Sequence, residues 1–348
     1  MKEMFRAGII GCGRIAGFID EEHKCLAGYA IRPQNHAAGY QALPNVELVA
    51  ACDTDEEQLK RFGERWGVKS LYTDHRGMLE RERLDVVSVT TRTVSKCEIT
   101  VDAADSGVKG IIVEKAMATS LEEADRMIEA CEKNGVKLVV HHPRRMHPSY
   151  REAKRLVGEG AIGKLSSIVG ICQTALIHNG THLFDAMLLF GEKAEWVWAY
   201  IPEYTGGDDA GVGYVQFKDD VSGLVDATGK GFEVMLLGSE GRIQLHSYVG
   251  QVLFWRYEPM GGTDDPSLER CQRVAPQEFS EPDRSLGSGG IIIRELLDCL
   301  ETGRESVSSG KDGRAALELG IAFHLSHRSG GKRVELPAKE RGLRIINR

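Results

Sequence analysis

The sequence lacks the marks of a membrane, disulfide-rich or zinc-ribbon protein. Its eight cysteines are scattered and none belongs to a Cys-x-x-Cys pair, which argues against a zinc ribbon or a redox pair. No apolar run is long enough to span a bilayer and no signal peptide opens the chain, so we predict a cytoplasmic location. The net charge of −7, with acids and bases interspersed, argues against nucleic acid or an anionic membrane as a partner.

The sequence has the composition and the alternation of predicted strands and helices that are typical of a two-domain α/β protein. The 348 residues and the hydrophobic content of 42% suffice for two globular domains. In the first 140 residues short apolar runs alternate with helical segments, which predicts βαβ units and a doubly wound parallel sheet. The predicted strands are Phe5–Ile10, Val46–Cys52, Ser70–Tyr72, Asp85–Thr90, Gly110–Glu114 and Val136–His141.

The order of predicted strands and helices changes after about residue 150. Predicted strands then follow one another with a single clear helix, Gly180–Phe190, between them, which indicates an α/β domain with a large, mostly antiparallel open sheet. The segment Pro259–Gly289 is rich in Pro, Gly, Ser and acids and predicts a long loop. Two predicted helices, Ile291–Thr302 and Arg314–Ser326, close the chain. We place the two domains at residues 1–142 and 143–348.

The turn after the first strand predicts a dinucleotide site. In Gly11-Cys12-Gly13-Arg14-Ile15-Ala16, the first glycine permits a tight turn and the second lets the backbone approach a pyrophosphate. The small Ala16 lets the following helix pack on the strand, and the phosphates would lie on the helix N-terminus. Asp53 ends the second strand, where a carboxylate accepts hydrogen bonds from ribose hydroxyls and favours NAD, with NADP as the alternative. A helix N-cap at Asp53 or Thr54 is the competing interpretation.

One irregularity lies inside this first unit. Asp53 follows Gly11 by 42 positions, whereas the simple fingerprint has an acid about 20 residues on. The additional residues between Gly11 and Asp53 are the stretch Gly17–Asn35. It is either a tolerated surface loop or a flap over the cofactor or substrate, and its place beside the predicted phosphates favours the flap.

Charged and titratable residues follow the later strands. Glu114 and Lys115 close the fifth strand, where a lysine can polarise a hydroxyl or relay a proton, although solvated charges also mark ordinary strand ends. His178, His182 and Asp185 have helical spacing, but no His-Glu-x-x-His motif is present, and we predict no metal. Acid–base chemistry by a histidine is the better interpretation, since its charge changes near neutral pH.

These pieces, in order, resemble the Gfo/Idh/MocA family of NAD(P)-dependent oxidoreductases. The fragments that carry the resemblance are Ala7–Ala16, Asn35–Ala38, Val49–Asp53, Glu114–Ala116, His142–Pro148, Gly180–Asp185, Ala322–Ser326 and Val334–Pro337. The resemblance implies a Rossmann domain joined to an α/β domain, whose large sheet often serves in oligomerisation. We therefore predict a homo-oligomer, either a dimer or a tetramer.

The resemblance also implies roles for single residues. Lys115 and His182 match the family's catalytic lysine and histidine, with His178 orienting or relaying. The predicted cofactor-binding residues are Gly11, Gly13, Arg14, Ile15, Ala16, Asp53, Thr91, Arg92 and Glu114, and the predicted substrate-binding residues are Lys115, Arg145 and Asp185.

The chain departs from the family pattern at three places. Ala116 replaces the proline of Glu-Lys-Pro, which removes the residue that most readily takes a cis peptide bond and leaves the orientation of Lys115 open. His178 stands where the family has an aspartate four residues before its histidine. The Thr-Pro-Asn turn after the fourth strand reads Thr90-Thr91-Arg92, which brings a positive charge near the nicotinamide or an acidic substrate.

Three functions follow from this sequence. The first is hydride transfer between NAD(P) and a secondary hydroxyl or ketone of a sugar, sugar derivative or cyclitol, with a small polyol or sugar as the substrate. The second, motivated by the altered catalytic pair, is a regulatory protein that binds a dinucleotide without turnover. The third is a lyase or hydrolase that uses bound NAD transiently.

Overall fold

Two β-sheets organise the chain in a computed structural model that describes residues 4–22, 32–246, 252–259, 272–279 and 286–346. The first sheet has six parallel strands in the order β3-β2-β1-β4-β5-β6, the order of a dinucleotide-binding Rossmann sheet. Its strands are β1 (Phe5–Ile10), β2 (Val46–Cys52), β3 (Ser70–Tyr72), β4 (Val86–Val89), β5 (Gly110–Val113) and β6 (Lys137–Val140).

Helices cover both faces of this sheet. On β5, Ile111 and Val113 pack into the core on one face, while Ile112 packs into the core on the other. Burial on both faces explains why β5 is a continuous apolar run. The helices of this part are α1 (Ile19–Glu22), α2 (His36–Gln41), α3 (Glu56–Trp66), α4 (His75–Glu82), α5 (Thr93–Asp105) and α6 (Leu121–Lys133).

The second sheet has nine strands in the order β14-β13-β12-β11-β7-β10-β9-β8-β15. Neighbouring strands are antiparallel, except that β7 and β10 run parallel. The strands are β7 (Leu165–Cys172), β8 (Ala194–Tyr200), β9 (Val212–Phe217), β10 (Ser222–Asp226), β11 (Phe232–Gly238), β12 (Gly241–His246), β13 (Val252–Pro259), β14 (Gln272–Gln277) and β15 (Val334–Glu335).

The described part of the second half also contains four α-helices: α7 (Pro148–Gly158), α8 (Gly180–Gly191), α9 (Ser288–Thr302) and α10 (Gly310–Arg328). The apolar α8 packs on the second sheet, where Gly170 and Gly223 leave room for its side chains. Helix α9 packs instead beside α2 on the first sheet, and α10 contributes Leu317 to one core and Phe323 to the other. The two sheets are therefore joined through shared helices.

The predicted loop Pro259–Gly289 is wrong in part, and the sequence predicted neither the helices α4 and α7 nor the strands β8 and β15. The predicted loop Pro259–Gly289 contains β14, a polar edge strand that gains its hydrogen bonds from β13 rather than from an apolar pattern of its own. The part before β7 contains a further helix, α7, whose first turn carries Pro148. A proline is tolerated at this position because the first helical N–H has no intrahelical partner. Among the described residues, none of the helices is long and apolar enough to cross a membrane.

Candidate active site

The two glycines of the turn after β1 have different roles. Gly11 has φ of +96°, and a Cβ there would lie 2.8 Å from the backbone nitrogen of Thr91, so the fold itself requires glycine. Gly13 has φ of −77°, and a Cβ there would meet no atom of the described chain within 4 Å. Neither the backbone nor the packing of the protein requires glycine at 13, which leaves open space for a ligand above the turn.

The residues after this turn lead into the irregular stretch. Arg14–Phe18 forms a π-helical turn that continues as α1, and Ala16 is fully buried beneath it, while Ile15 is half-buried. Asp20 accepts hydrogen bonds from the backbone nitrogens of Gln34 and Asn35, which ties the two ends of the stretch Gly17–Asn35 together. Residues 23–31 of the predicted flap lie outside the described residues.

Asp53 is placed directly against the glycine turn. Its Oδ2 accepts a hydrogen bond of 2.6 Å from the backbone nitrogen of Cys12, and its Oδ1 accepts one of 3.0 Å from that of Asp55. The N-cap of α3 is Asp55, not Asp53 or Thr54. On the other side of the turn, the Thr91 hydroxyl is buried with no hydrogen-bond partner in the described part of the chain, and Arg92 is exposed at the start of α5. The glycine turn therefore has the Asp53 carboxylate at Cys12 and Thr91 against Gly11.

Lys115 follows β5 at the carboxyl edge of the first sheet. Its Nζ donates a hydrogen bond of 2.7 Å to the backbone carbonyl of His178 in the second half of the chain. The Lys115–Ala116 peptide bond is cis although no proline is present. Burial lowers the pKa of Lys115 below its usual range, although the neighbouring Glu114 carboxylate opposes this shift.

A second lysine, which the sequence analysis missed, lies beneath this turn. Lys96 of α5 is only 2% exposed. Its Nζ donates to the backbone carbonyls of Glu114 (2.6 Å), Lys115 (3.2 Å) and Ala116 (2.9 Å). Burial lowers its pKa to about 7. Three consecutive backbone carbonyls therefore converge on one buried amine.

Glu114 belongs to a buried network rather than to the open cleft. Its Oε1 accepts hydrogen bonds from His36 Nε2 (3.1 Å) and His141 Nδ1 (2.5 Å), and the Ser88 hydroxyl bonds to His36 Nδ1 (3.0 Å). Burial alone would raise the pKa of Glu114, but the two histidines hold it well below its usual range. One side-chain oxygen of Glu114 and one ring nitrogen each of His36 and His141 lie within 4.8 Å of one another. The hydrogen bonds from the two histidines to the carboxylate explain this spacing.

The histidines meet Lys115 from the second half of the chain. His178 precedes α8, whose N-cap is Asn179, and His182 lies in the first turn of that helix. Nδ1 of His182 is buried without a hydrogen-bond partner among the described residues. Burial and the nearby positive charge of Lys115 lower the pKa of His178 to about 4 and that of His182 well below its usual value. Both imidazoles are therefore neutral at physiological pH.

Asp185 and Arg145 lie behind the histidines. Arg145 Nε donates a hydrogen bond of 2.6 Å to Oδ1 of the fully buried Asp185, and Arg145 Nη1 lies 3.0 Å from Oδ1 of Asp312. The His142 ring, 5.5 Å from that of His182, has its Nδ1 3.3 Å from the same Asp185 oxygen. The structure thus brings Lys115, His178 and His182 together at the sheet edge, and pairs Asp185 with Arg145 below them.

A Rossmann sheet with ligand space at its glycine turn, joined to a mostly antiparallel sheet, is the architecture of a two-domain dinucleotide-binding protein. Residues 5–142 match the model of an oxidoreductase family with an NAD-binding Rossmann fold, and residues 172–336 match the model of its C-terminal alpha/beta domain. The chain belongs to this family, the Gfo/Idh/MocA oxidoreductases, as its motifs predicted. It is an NAD(P)-dependent enzyme, and NAD is the cofactor.

Several characterised proteins are similar over nearly the full chain. A D-apiose dehydrogenase of Paraburkholderia graminis is 28% identical over 97% of this chain and 91% of its own length. A myo-inositol 2-dehydrogenase of Thermotoga maritima is 26% identical over 91% of this chain and 94% of its own. Among solved structures, an aldose-aldose oxidoreductase from Caulobacter crescentus with glycerol has a TM-score of 0.78 and 21% identity, covering 96% of this chain and 100% of the other.

Proposed function

We propose that this protein transfers a hydride between NAD and a secondary hydroxyl or ketone of a sugar, sugar derivative or cyclitol. The enzyme is a dehydrogenase acting on CH–OH groups. The observation that carries the proposal is the meeting of Lys115 with His178 and His182 at the carboxyl edge of the first sheet. Ligands of open α/β sheets bind at this edge. The relatives named for apiose and myo-inositol support a polyol as the substrate class.

The cofactor would be held by the glycine turn and its flanking residues. In the proposal, Gly11, Gly13, Arg14, Ile15 and Ala16 form the phosphate turn, because the space above Gly13 is open to a ligand. Asp53, Thr91, Arg92 and Glu114 complete the proposed set, with Glu114 acting from its buried histidine network. NAD, when bound, supplies the two-electron acceptor or donor of the reaction.

The protein's part is to move one proton and to stabilise one negative charge. His182 is neutral and accepts the proton of the substrate hydroxyl during oxidation, which is general-base catalysis. The Lys115 ammonium stabilises the developing alkoxide, and the His178 carbonyl fixes the direction of its side chain. His178 orients or relays a proton, since its low pKa keeps its ring neutral.

The remaining assignments are also proposals. Arg145 and Asp185 remain proposed substrate-binding residues, and Asp185 holds the Arg145 guanidinium and lies 3.3 Å from His142 Nδ1. The half-buried and exposed aromatic residues Trp196, Trp198 and Tyr200 of β8 support oligomerisation through the second sheet. A dimer or tetramer and a cytoplasmic location stay predictions.

The proposal is tested by a substrate screen. The protein is titrated with NADH and NADPH by fluorescence and then assayed for NADH formation with aldoses, anhydrosugars and cyclitols. We expect tighter binding of NADH and turnover of at least one polyol class. Tight NADH binding without turnover of any compound would instead favour the regulatory alternative, and redox without net NADH production would favour a lyase or hydrolase.

A further inference from the structure

Asp208 lies between β8 and β9 and contacts the active-site backbone. Its Oδ1 accepts a hydrogen bond of 2.7 Å from the backbone nitrogen of Ile177, and its Oδ2 accepts one of 2.8 Å from that of His178. The carbonyl of the same His178 accepts the 2.7 Å hydrogen bond from Lys115 Nζ. One residue of backbone therefore connects the Asp208 carboxylate to the Lys115 ammonium.

The loop that carries Asp208 is anchored without this side chain. The carbonyl of Asp209 accepts a hydrogen bond of 3.0 Å from the backbone nitrogen of Leu176. The Asp209 carboxylate accepts hydrogen bonds from the backbone nitrogen (2.8 Å) and the hydroxyl (2.7 Å) of Thr205. The two neighbouring aspartates thus have different partners. The Asp209 carboxylate binds Thr205 of its own loop, whereas the Asp208 carboxylate binds the backbone of Ile177 and His178.

We propose that Asp208 is a positioning residue for Lys115, because it holds the backbone of His178, whose carbonyl accepts the hydrogen bond from the lysine ammonium. A carboxylate that accepts the N–H groups of Ile177 and His178 through charge-assisted hydrogen bonds restricts the backbone on the N-terminal side of that carbonyl. The importance of Lys115 in this inference rests on the proposed function, but the geometry that fixes its side chain does not.

The Asp208 charge acts in the same direction as its hydrogen bonds. Burial raises the pKa of Asp208 to about 6, against the effect of its two backbone hydrogen bonds, so the ionised carboxylate prevails at neutral pH. This negative charge raises the pKa of Lys115 and partly offsets the effect of burial. The charged and titratable groups around Lys115 are Glu114, Lys96, Arg14, Arg144, His178, His182 and Asp208.

The test compares D208N with D209N in the full-length protein without cofactor or substrate. The rate of reductive methylation of Lys115 is followed across pH by peptide mass spectrometry, together with amide hydrogen exchange at Ile177 and His178. In D208N we expect Lys115 to react about threefold to tenfold faster at neutral pH, which is half a unit to one unit of pKa. The two amides should exchange at least about tenfold faster, and D209N should change neither readout.

Once the screen has identified a polyol that the enzyme oxidises, D208N should also lower the kcat for that polyol by about tenfold. The KM for NAD should stay within about twofold. The inference is overturned if D208N, shown to be folded by its thermal melt, leaves labelling and amide exchange unchanged, or if D209N alters them equally. If no polyol is oxidised, the proposed function fails, while the labelling and exchange experiments still decide the role of Asp208.

Discussion

Replacing the buried Lys96 by methionine tests the support beneath Lys115. In K96M the carbonyls of Glu114, Lys115 and Ala116 lose a donor that now lies 2.6 to 3.2 Å away. An unsatisfied buried polar group costs about 1–3 kcal/mol. Against this loss, the variant no longer has to bury an ammonium. The balance between the two effects depends on pH.

The sign of this dependence follows from the lowered pKa of Lys96. Because its pKa falls to about 7 in the folded state, the unfolded chain binds more protons above that pH. The native protein therefore gains up to about 1.4 kcal/mol per pH unit from this group as the pH rises from about 7 towards the unfolded value. K96M lacks this gain, so we expect the stability lost on substitution to be small at about pH 6 and several kcal/mol at about pH 9.

The assay is urea unfolding of both proteins at the two pH values, with K60M as the matched control. Lys60 lies on the exposed face of α3, with its side chain 77% exposed and its Nζ 4.0 Å from Glu64. Its removal should change stability by no more than about 0.5 kcal/mol at either pH. A loss of stability in K96M that is equal at the two pH values, or larger at the lower one, would refute the reasoning.

Three further predictions concern the cofactor turn and the ion pair behind the histidines. G13A should melt like the native protein but bind NADH at least about tenfold more weakly, whereas G11A should lower the melting temperature, because only Gly11 is required by the fold. D53N should weaken NADH binding by about tenfold and bring the affinity for NADPH closer to it, as measured by fluorescence titration. R145M should destabilise the protein by about 3–5 kcal/mol in urea unfolding, because it leaves the Asp185 carboxylate buried without its cation. Unchanged NADH binding in G13A or D53N, an unchanged melting temperature in G11A, or an unchanged urea unfolding curve in R145M would contradict the respective assignments.

The sequence predicts the centre of the first sheet well because β4 and β5 are buried along their whole length. An apolar run such as Gly110–Val113 is readable without knowledge of its neighbours. Strand β14 could not be read this way, since Gln272–Gln277 carries little apolar pattern and depends on pairing with β13. The family motifs, by contrast, extend over both halves and predicted the overall architecture and the enzyme class.

The site was predicted only where residues follow strands or motifs. Lys96 was missed although its position carried a signal, because it lies on the same helical stripe as the buried Thr93, Thr100 and Ala103. Asp208 carried no such signal, since it lies in a glycine-rich loop and reaches the active site through tertiary contacts alone. A buried charged residue can therefore be predicted from the sequence only where it lies on a regular stripe of buried residues along a helix or strand.

The most direct test of the account compares the native protein with K115M and the polyol that the screen identifies. The hydrogen bond from Lys115 to the His178 carbonyl is made by its amine, and methionine keeps an unbranched side chain, so we expect K115M to fold and bind NADH with an unchanged Kd. Its kcat/KM should fall by at least about a hundredfold, because no ammonium remains to stabilise the alkoxide. A K115M protein that oxidises the same polyol at the native rate would contradict the central claim.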